Sequence, residues 1–402
     1  MPMPKRCEVA LLVESSRAYG RGLLRGIAQY TQAHGHWATR HHERALGDSA
    51  PGWLKKWSGD GVIARIDSEG LLKQIQKLDV PTVDLRLLFD VENIPRVGVD
   101  NVAVTRMAAD HLLERKFEHY ALCGFAGIDY AEQRRKFFTE YLEGLGYKVD
   151  VWMGGQSGGR PTTTQIEARG LVQDIALEKW LDELPKPVGI MATNDVRAQQ
   201  VLAACDNCGI SVPDEIAVVG VDNDPVICEL CHPPLSSIQL QNERMGYEAA
   251  ALLDKIMQGQ EQEEYRRRWP PSGIITRQST DVVAIPDSAT AAAVHFIREH
   301  ACDGIAVDAV FRHVAVSRST LERRFATYLD STPRAEIVRV QIQRVKQLLT
   351  GTDYPLAKIA QLAGFNHVEY MCSLFKNRVG QTAGQYRKEQ MKLRGTAPPP
   401  TS

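Results

Sequence analysis

The run VDAVFRHVAVSRSTLERRF, residues 307–325, predicts two short helices meeting at a tight turn. Val307 to Val314 forms the first, Ala315 to Ser317 the turn, and Ser317 to Tyr328 the second. Ser317 is a natural N-cap, because its hydroxyl can accept from the free N–H groups of the first helical turn. Leu321 and Phe325, spaced i,i+4, form the stripe that must be buried, which leaves Arg318, Ser319, Glu322 and Arg323 on the outer face. The logic repeats in LAKIAQLAGFNHVEYMCSLFKNRVG, residues 356–380. There Ile359, Leu362 and Ala363 pack the first helix, Gly364 makes the turn, and Tyr370, Leu374 and Phe375 are expected in the core of the second.

Either stretch alone could be an ordinary helical hairpin with a solvated outer face. Two of them at similar spacing, joined by a helix over Ala335 to Leu349 and closed by GQTAGQYR, make a stronger pattern. With SRSTLERRF and GFNHVEYMCSLFKNRVG, it resembles the AraC/XylS family of transcription regulators over about the last hundred residues. The resemblance implies an all-α domain with two helix-turn-helix units, whose second helices enter the major groove and read base edges. On this reading Ser317, Arg318, Ser319, Glu322 and Arg323 face DNA from the first unit. Asn366, His367, Glu369 and Lys376 face bases or phosphates from the second. Ala383 stands where the family usually has Pro, and Tyr370-Met371 where it has Tyr-Phe. Ser373 replaces a frequent Arg, so the first unit is expected to carry more of the specificity.

A chain of 402 residues exceeds what one core usually serves, so two or three domains are expected. The net charge of −1 hides an asymmetry: from Asp287 onward there are sixteen Lys/Arg against ten Asp/Glu, leaving the preceding part acidic. A basic module on an acidic body suits phosphate binding by one part and a different task for the other. The sequence has no apolar stretch of membrane-spanning length and no signal-peptide-like start, so a cytoplasmic protein is expected. Its eight cysteines are then thiols. Cys205-x2-Cys208 and Cys228-x2-Cys231 have a spacing compatible with a four-thiolate zinc site. Cys205, however, falls in the apolar stripe of a helix ending at Gly209, and a strand separates the pairs, so structural thiols and no cofactor are expected.

Before the helical region, apolar runs alternate with amphipathic ones. Strands are predicted over Glu8–Val13, Gly61–Ile66, Thr82–Leu85, Arg96–Val99, Tyr120–Gly124, Gly189–Ala192 and Ile216–Val221, with helices between. That alternation implies parallel sheets built from βαβ units, which place ligands beyond the C-terminal strand ends. The residues at those ends are polar: Glu14-Ser15-Ser16-Arg17-Ala18-Tyr19, Thr193-Asn194-Asp195 and Asp222-Asn223-Asp224. Without a Gly-rich phosphate loop, converging carboxylates and amides beside an aromatic ring suit a neutral polyhydroxylated ligand. Helix N-capping would account for any one of these residues, less readily for the set.

The strings VGVDNVAVTRMAADHLLERKFEHYAL, GIMATNDVRAQQVL, GISVPDEIAVVGVDND and PPLSSIQLQNERMGYEAAALL resemble the ligand domain of the LacI/GalR family over about 270 residues. That resemblance implies a two-lobed periplasmic-binding-protein-like α/β fold, crossed three times by the chain, with an effector sugar in the cleft. It makes Asn194, Asp195, Asp222 and Arg134 ligand contacts, with Ser16, Arg17 and Tyr19 closing the site from the first lobe. Lys116 replaces a helix-ending Gly and is expected in the left-handed region, at a cost of about 1 kcal/mol. The family's N-terminal DNA-binding headpiece is expected to be absent.

A sensor of this kind followed by an AraC-type reader resembles the bacterial xylose-operon activators along nearly the whole chain. The implied organisation is a sensor at 1–281, a linker at 282–290 that includes Pro286, a DNA-binding domain at 291–391 and a disordered tail at 392–402. The implied partners are operator DNA, D-xylose or another pentose, RNA polymerase if the protein activates, and a second copy of the chain; a membrane is not among them. A regulator of another sugar or a repressor fits the same residues, as does a DNA binder with a vestigial cleft. A sugar-acting enzyme using Asp195 and Asp222 lacks a nucleophile motif, metal cluster or phosphate loop, and would leave the reader domain unexplained.

Overall fold

A computed structural model describes residues 6–34, 37–45, 47–154, 174–260, 265–281, 285 and 287–395. The chain divides into two compact units, Met1–Val282 and Val283–Ser402. The first runs β1 (Cys7–Leu12), α1 (Ala18–His34), β2 (Trp37–His41), β3 (Gly61–Ala64), α2 (Glu69–Gln76), β4 (Thr82–Asp84), β5 (Arg96–Val99), α3 (Asn101–Leu113), β6 (His119–Phe125), α4 (Asp129–Gly144) and β7 (Val149–Gly154). It continues with α5 (Ile175–Glu183), β8 (Val188–Ala192), α6 (Asp195–Cys208), β9 (Ile216–Val221), α7 (Pro225–Leu230), β10 (Ser236–Gln239), α8 (Asn242–Met257), β11 (Arg266–Trp269) and β12 (Gly273–Ile275).

The strands form two six-stranded sheets, ordered β11-β5-β4-β3-β1-β2 and β12-β10-β9-β8-β6-β7. Apart from the antiparallel β10–β12 pair, the pairings are parallel. The inner strands β3, β8 and β9 are buried end to end, as expected where helices cover both faces. The chain passes between the sheets at three places: after β5, where α3 packs on α4 of the second lobe; after β10, where α8 returns to pack on α1; and between β11 and β12.

Each lobe has its own core. In the first, Val9, Leu11, Ile63, Val83 and Val97 from the strands meet Leu23 and Ile27 of α1 and Met245 and Leu253 of α8. In the second, Ala121, Ile190 and Val218 meet Leu177 and Leu181 of α5 and Val201 and Cys205 of α6. The α1–α8 contact is unusually close: a Cβ on Gly246 would come 2.0 Å from the carbonyl oxygen of Leu23, so only glycine fits there.

All seven expected strands are present, β5 and β9 with the expected bounds and the others with ends shifted by a residue or two. Strands β2, β7, β10, β11 and β12 were not foreseen. Four of these, β2, β7, β11 and β12, are edge strands, the first three rich in charge or exposed on one side and β12 three residues long, while β10 buries Ser236 and Ser237 beside a single apolar residue, Ile238. Lys116 adopts φ 62°, as its place after α3 required.

The second unit is helical: α9 (Ser288–His300), α10 (Val307–His313), α11 (Arg318–Leu329), α12 (Pro333–Gly351), α13 (Leu356–Leu362), α14 (Val368–Val379) and α15 (Ala383–Gly395). The Ser317 hydroxyl accepts from the Thr320 N–H at 3.2 Å, and Leu321 and Phe325 are fully buried. Helix α12 serves two cores. Ile337 belongs to the one holding Val310, Leu321 and Phe325, and Val345 and Leu349 to the one holding Ile359, Met371 and Phe375. Between them the buried Gln341 donates to the carbonyls of Ala301 and Gly364, each at 3.0 Å. Gly364 has φ +75°, and a Cβ there would lie 2.7 Å from the Ala301 carbonyl oxygen, so this turn requires glycine twice over.

Three expectations for this unit are corrected. Tyr370 is 51% exposed, and the buried i,i+4 pair of α14 is Met371 and Phe375. The expected stripe was one residue out of phase at its start, a rotation of about 100° on a helix of 3.6 residues per turn. Ile285, placed in the linker, is buried in the core beside Val294 and Ile297. The segment 392–402 is not irregular throughout, since α15 extends to Gly395; residues 396–402 and Pro286 lie outside the described residues.

Candidate functional site

The C-terminal strand ends of both lobes face one cavity of about 220 Å³. This is smaller than the roughly 300–1,000 Å³ of pockets for drug-sized ligands and suits a single sugar ring. Its first-lobe wall begins with Glu14 and Tyr19 after β1 and Arg65 after β3. Glu14 is ion-paired to Arg65, whose guanidinium lies 4.5 Å from the Tyr19 ring centroid. Burial raises the Tyr19 hydroxyl to about 12 against the opposing Arg65 charge, with Glu14 and Asp222 adding to the rise, so it stays a neutral donor. Arg17 also lines the cavity, whereas Ser16 is exposed and lies outside the lining.

Buried Asp84 at the end of β4 accepts from the N–H groups of Ile66, Arg86 and Leu87 at 3.0, 3.1 and 3.0 Å. It thereby shapes the loop that presents Arg86. Arg86 reaches across the cleft to pair with Asp129 at the start of α4 in the second lobe, and Arg21 lies 3.8 Å from Asp224. These two ion pairs join the lobes.

On the second-lobe wall Arg134 is buried, donating to Asn101 Oδ1 at 3.0 Å and to the Thr193 carbonyl, with the Tyr130 ring 5.1 Å from its guanidinium. Asn194 caps α6 by accepting from the Arg197 N–H at 2.9 Å, and donates to the Tyr130 hydroxyl at 2.9 Å. It therefore performs the capping role and lines the cavity as well.

Asp195 also lines the cavity, and its carboxyl is held by several protein donors. It is 2% exposed; Oδ1 accepts from Ser237 Oγ at 2.5 Å, and Oδ2 accepts from the Asp224 N–H at 2.7 Å and the Cys228 thiol at 3.5 Å. Burial first, and the nearby Asp222 charge second, push its carboxyl up to about 8. Its oxygens serve to hold the turn after β9. In that turn Asp222 and Asn223 take φ 112° and 48°, and half-buried Asp222 lines the cavity. Side chains with left-handed φ are costly, so the turn needs the bonds that fix it.

The sequence reading missed Glu14 as a site residue, along with Arg65, Arg86, Asp129 and Tyr130. Glu14 followed a strand and could have been included; Arg86 and Asp129 meet only through the folding of separate lobes. Arg266 and Arg268 also line the cavity from β11, a strand that was not foreseen. Cys205, Cys228 and Cys231 are buried and Cys208 is exposed. Among the described residues, no group of three or more His, Cys, Asp or Glu side chains is placed to hold a metal ion.

In the helical unit, Arg318, Ser319, Glu322 and Arg323 are exposed on α11, with Ser317 at its N-cap. Arg318 pairs with Glu322 at 3.0 Å and lies 4.9 Å from the Phe311 ring centroid. An exposed ion pair contributes about 0–1 kcal/mol, which a nucleic-acid contact can displace. On α14 and its N-cap, Asn366, His367, Glu369 and Lys376 are exposed, and Tyr370 joins them on the outer surface. No helix among the described residues is long and apolar enough to cross a membrane.

Comparison with known proteins accords with both halves. Residues 8–103 match the XylR N-terminal domain, residues 109–280 a periplasmic binding protein-like domain and residues 310–389 a helix-turn-helix domain. The xylose operon regulatory protein of Escherichia coli K12 is 33% identical over 95% of this chain and 97% of its own. That of Haemophilus influenzae is 31% identical over 94% and 98%. A solved structure of the xylose-binding transcription activator xylR superposes with a TM-score of 0.78 at 31% identity, covering 96% of this chain and 98% of that one. The protein therefore belongs to the xylose operon regulatory proteins, and is a transcription regulator with a periplasmic-binding-protein-like sensor and an AraC-type helix-turn-helix unit, not an enzyme.

Proposed function

We propose that the cleft binds D-xylose and that the sugar switches the protein into an activator of pentose-catabolic genes in the cytoplasm. The observation that carries this reading is a cavity of about 220 Å³ lined from both lobes by polar groups of both signs, including Glu14, Arg86, Arg134 and Asp222. A neutral sugar offers hydroxyls that donate to carboxylates and accept from guanidinium groups at once. Arg17 and Tyr19 complete the first-lobe side and Asn194 the second, with Asp195 acting through the Asp222 turn. Ser16, exposed outside the lining, is no longer part of the proposed site.

Contacts made only when the lobes are closed give the sugar unequal affinity for open and closed states, and only that inequality can shift the population. Two protomers would then place Arg318, Ser319, Glu322 and Arg323 against base edges, with Ser317 capping the reading helix. Asn366, His367, Glu369 and Lys376 would lie against bases or phosphates, and RNA polymerase would be recruited beside them. The sensor spans 1–281 and the DNA-binding domain 291–391 in this account.

A thermal-shift titration with D-xylose, L-arabinose, D-ribose and a sugar phosphate tests the effector. Concentration-dependent stabilisation by D-xylose above the others is the expected result, since a ligand of the folded state must stabilise it. Stabilisation by another sugar alone would replace xylose as the effector.

A further inference from the structure

We infer that a buried relay through Arg277, Ser236, Thr280 and His111 positions the Asp222–Asn223 turn and carries its displacement to the end of the sensor unit; this rests on the proposal that the cleft takes xylose. None of these four residues lines the cavity. They lie behind it, where the last segment of the first unit runs back across the second lobe.

The direction of each bond follows from chemistry. Arg115 can only donate, so its Nη1, 3.0 Å from His111 Nδ1, places the imidazole proton on Nε2. That N–H donates to Thr280 Oγ1 at 2.8 Å. The Thr280 hydroxyl donates to Ser236 Oγ at 2.8 Å, and the Ser236 hydroxyl to the Arg277 carbonyl at 2.9 Å. The Arg277 N–H returns to Ser236 Oγ at 2.7 Å, and Arg115 Nε donates to the Thr280 carbonyl at 2.6 Å. Every hydroxyl in this chain is both donor and acceptor, so no member can turn without breaking two bonds.

At its cavity end, Arg277 Nη2 donates to Asn223 Oδ1 at 2.9 Å and Nη1 to the Leu235 carbonyl at 2.8 Å. The Asn223 N–H donates to Ser237 Oγ at 3.0 Å, and Ser237 donates to Asp195. A ligand that pulls on Asp222 therefore moves Asn223 against Arg277. The second cavity wall reaches the same point: α3 begins with Asn101, which accepts from Arg134, and its last turn holds His111, with Arg115 just beyond. Both converge on Thr280, two residues before the unit ends at Val282. A set of bonds of fixed direction changes between discrete arrangements rather than stretching continuously, which is the property coupling requires.

The test uses the full chain, D-xylose, and an operator selected in vitro with the wild-type protein. The measured quantities are the xylose dissociation constant and the ratio of operator affinities with and without xylose. Thr280→Val keeps the shape and removes the hydroxyl. It is expected to bind xylose within about twofold of wild type while the coupling ratio falls by about fivefold or more, with Thr280→Ser restoring it. If Thr280→Val does not fold, Arg115→Gln, in a partly exposed position, is expected to give the same uncoupling. Wild-type coupling in either folded variant, or a Thr280→Ser that fails to restore it, overturns the relay. A wild-type protein whose operator affinity ignores xylose overturns instead the effector assignment on which the relay rests.

Discussion

His111 gives the sensor an acid-sensitive stability whose size can be worked out from its surroundings. Burial first, and the adjacent Arg115 charge second, lower the imidazole from 6.5 to about 3. As the pH falls through about 6.5 the unfolded chain takes up a proton that the folded sensor refuses until about 3. The folded state therefore loses stability across that window, while above it neither state holds the proton and this contribution is level. At about 1.36 kcal/mol per pH unit, going from about pH 7.5 to about pH 5 costs about 2 kcal/mol. That is a large part of a typical 5–15 kcal/mol of stability and corresponds to about 4–8 °C in Tm. All 6 tryptophans, from Trp37 to Trp269, lie in the first unit, so tryptophan fluorescence in urea follows the sensor alone. His111→Gln retains an N–H for Thr280 and does not titrate, so other histidines cancel in the comparison. The wild type should lose about 2 kcal/mol more than His111→Gln over this range. Equal losses would refute the buried, neutral imidazole and the bond directions derived from it.

Asp222→Asn should weaken xylose binding about tenfold or more in calorimetric titration while leaving operator affinity without sugar unchanged; an unchanged sugar affinity removes Asp222 from the site. Arg323→Ala should cost about 1–3 kcal/mol of specific operator binding in gel-shift titrations, with xylose affinity intact; loss of both would undermine the division of labour between the units. Phe325→Ala, deleting a fully buried ring, should destabilise the helical unit by about 3–5 kcal/mol in chemical unfolding followed by circular dichroism; a loss below about 1 kcal/mol would mean the core there is not packed as described. Burial first, and the Asp222 charge second, raise the Asp195 carboxyl in the fold well above its unfolded value, so stability falls as the pH rises from the unfolded value to the folded one. Removing the Asp222 charge lowers the folded value, so the Tm of Asp222→Asn should fall less than that of wild type from about pH 6 to about pH 9; an equal fall contradicts the coupling between the two carboxylates.

The helical unit was readable because its signals are local. A Ser cap, an i,i+4 pair at Leu321 and Phe325, and a turn glycine at Gly364 each specify structure within a few residues. Where two phases were both apolar, as at Tyr370-Met371, only packing into the core shared by α12, α13, α14 and α15 could decide between them. In the sensor, strands buried on both faces showed as apolar runs, whereas β10 buries Ser236 and Ser237, whose hydroxyls bond to Thr280, Arg277 and Asp195, each more than forty residues away. The cleft was legible where residues directly follow a strand. Arg86 follows the strand expected over Thr82–Leu85 and was open to the same reading, but its pairing with Asp129 was not, because it depends on two lobes meeting. Asp195 was legible as a cavity residue, but the donors from Ser237, Asp224 and Cys228 that hold its oxygens were not, since no spacing in the sequence reveals them.

Sugar in the cleft is proposed to control DNA binding by the helical unit. Fluorescence anisotropy of a labelled operator, titrated with full-length protein at constant salt with and without saturating D-xylose, tests it most directly. Tighter operator binding with xylose is expected in the wild type, and in Asp222→Asn the same tightening is expected to need about tenfold more xylose or greater. Equal operator affinity in both conditions, from a protein that binds xylose in calorimetry, would contradict it.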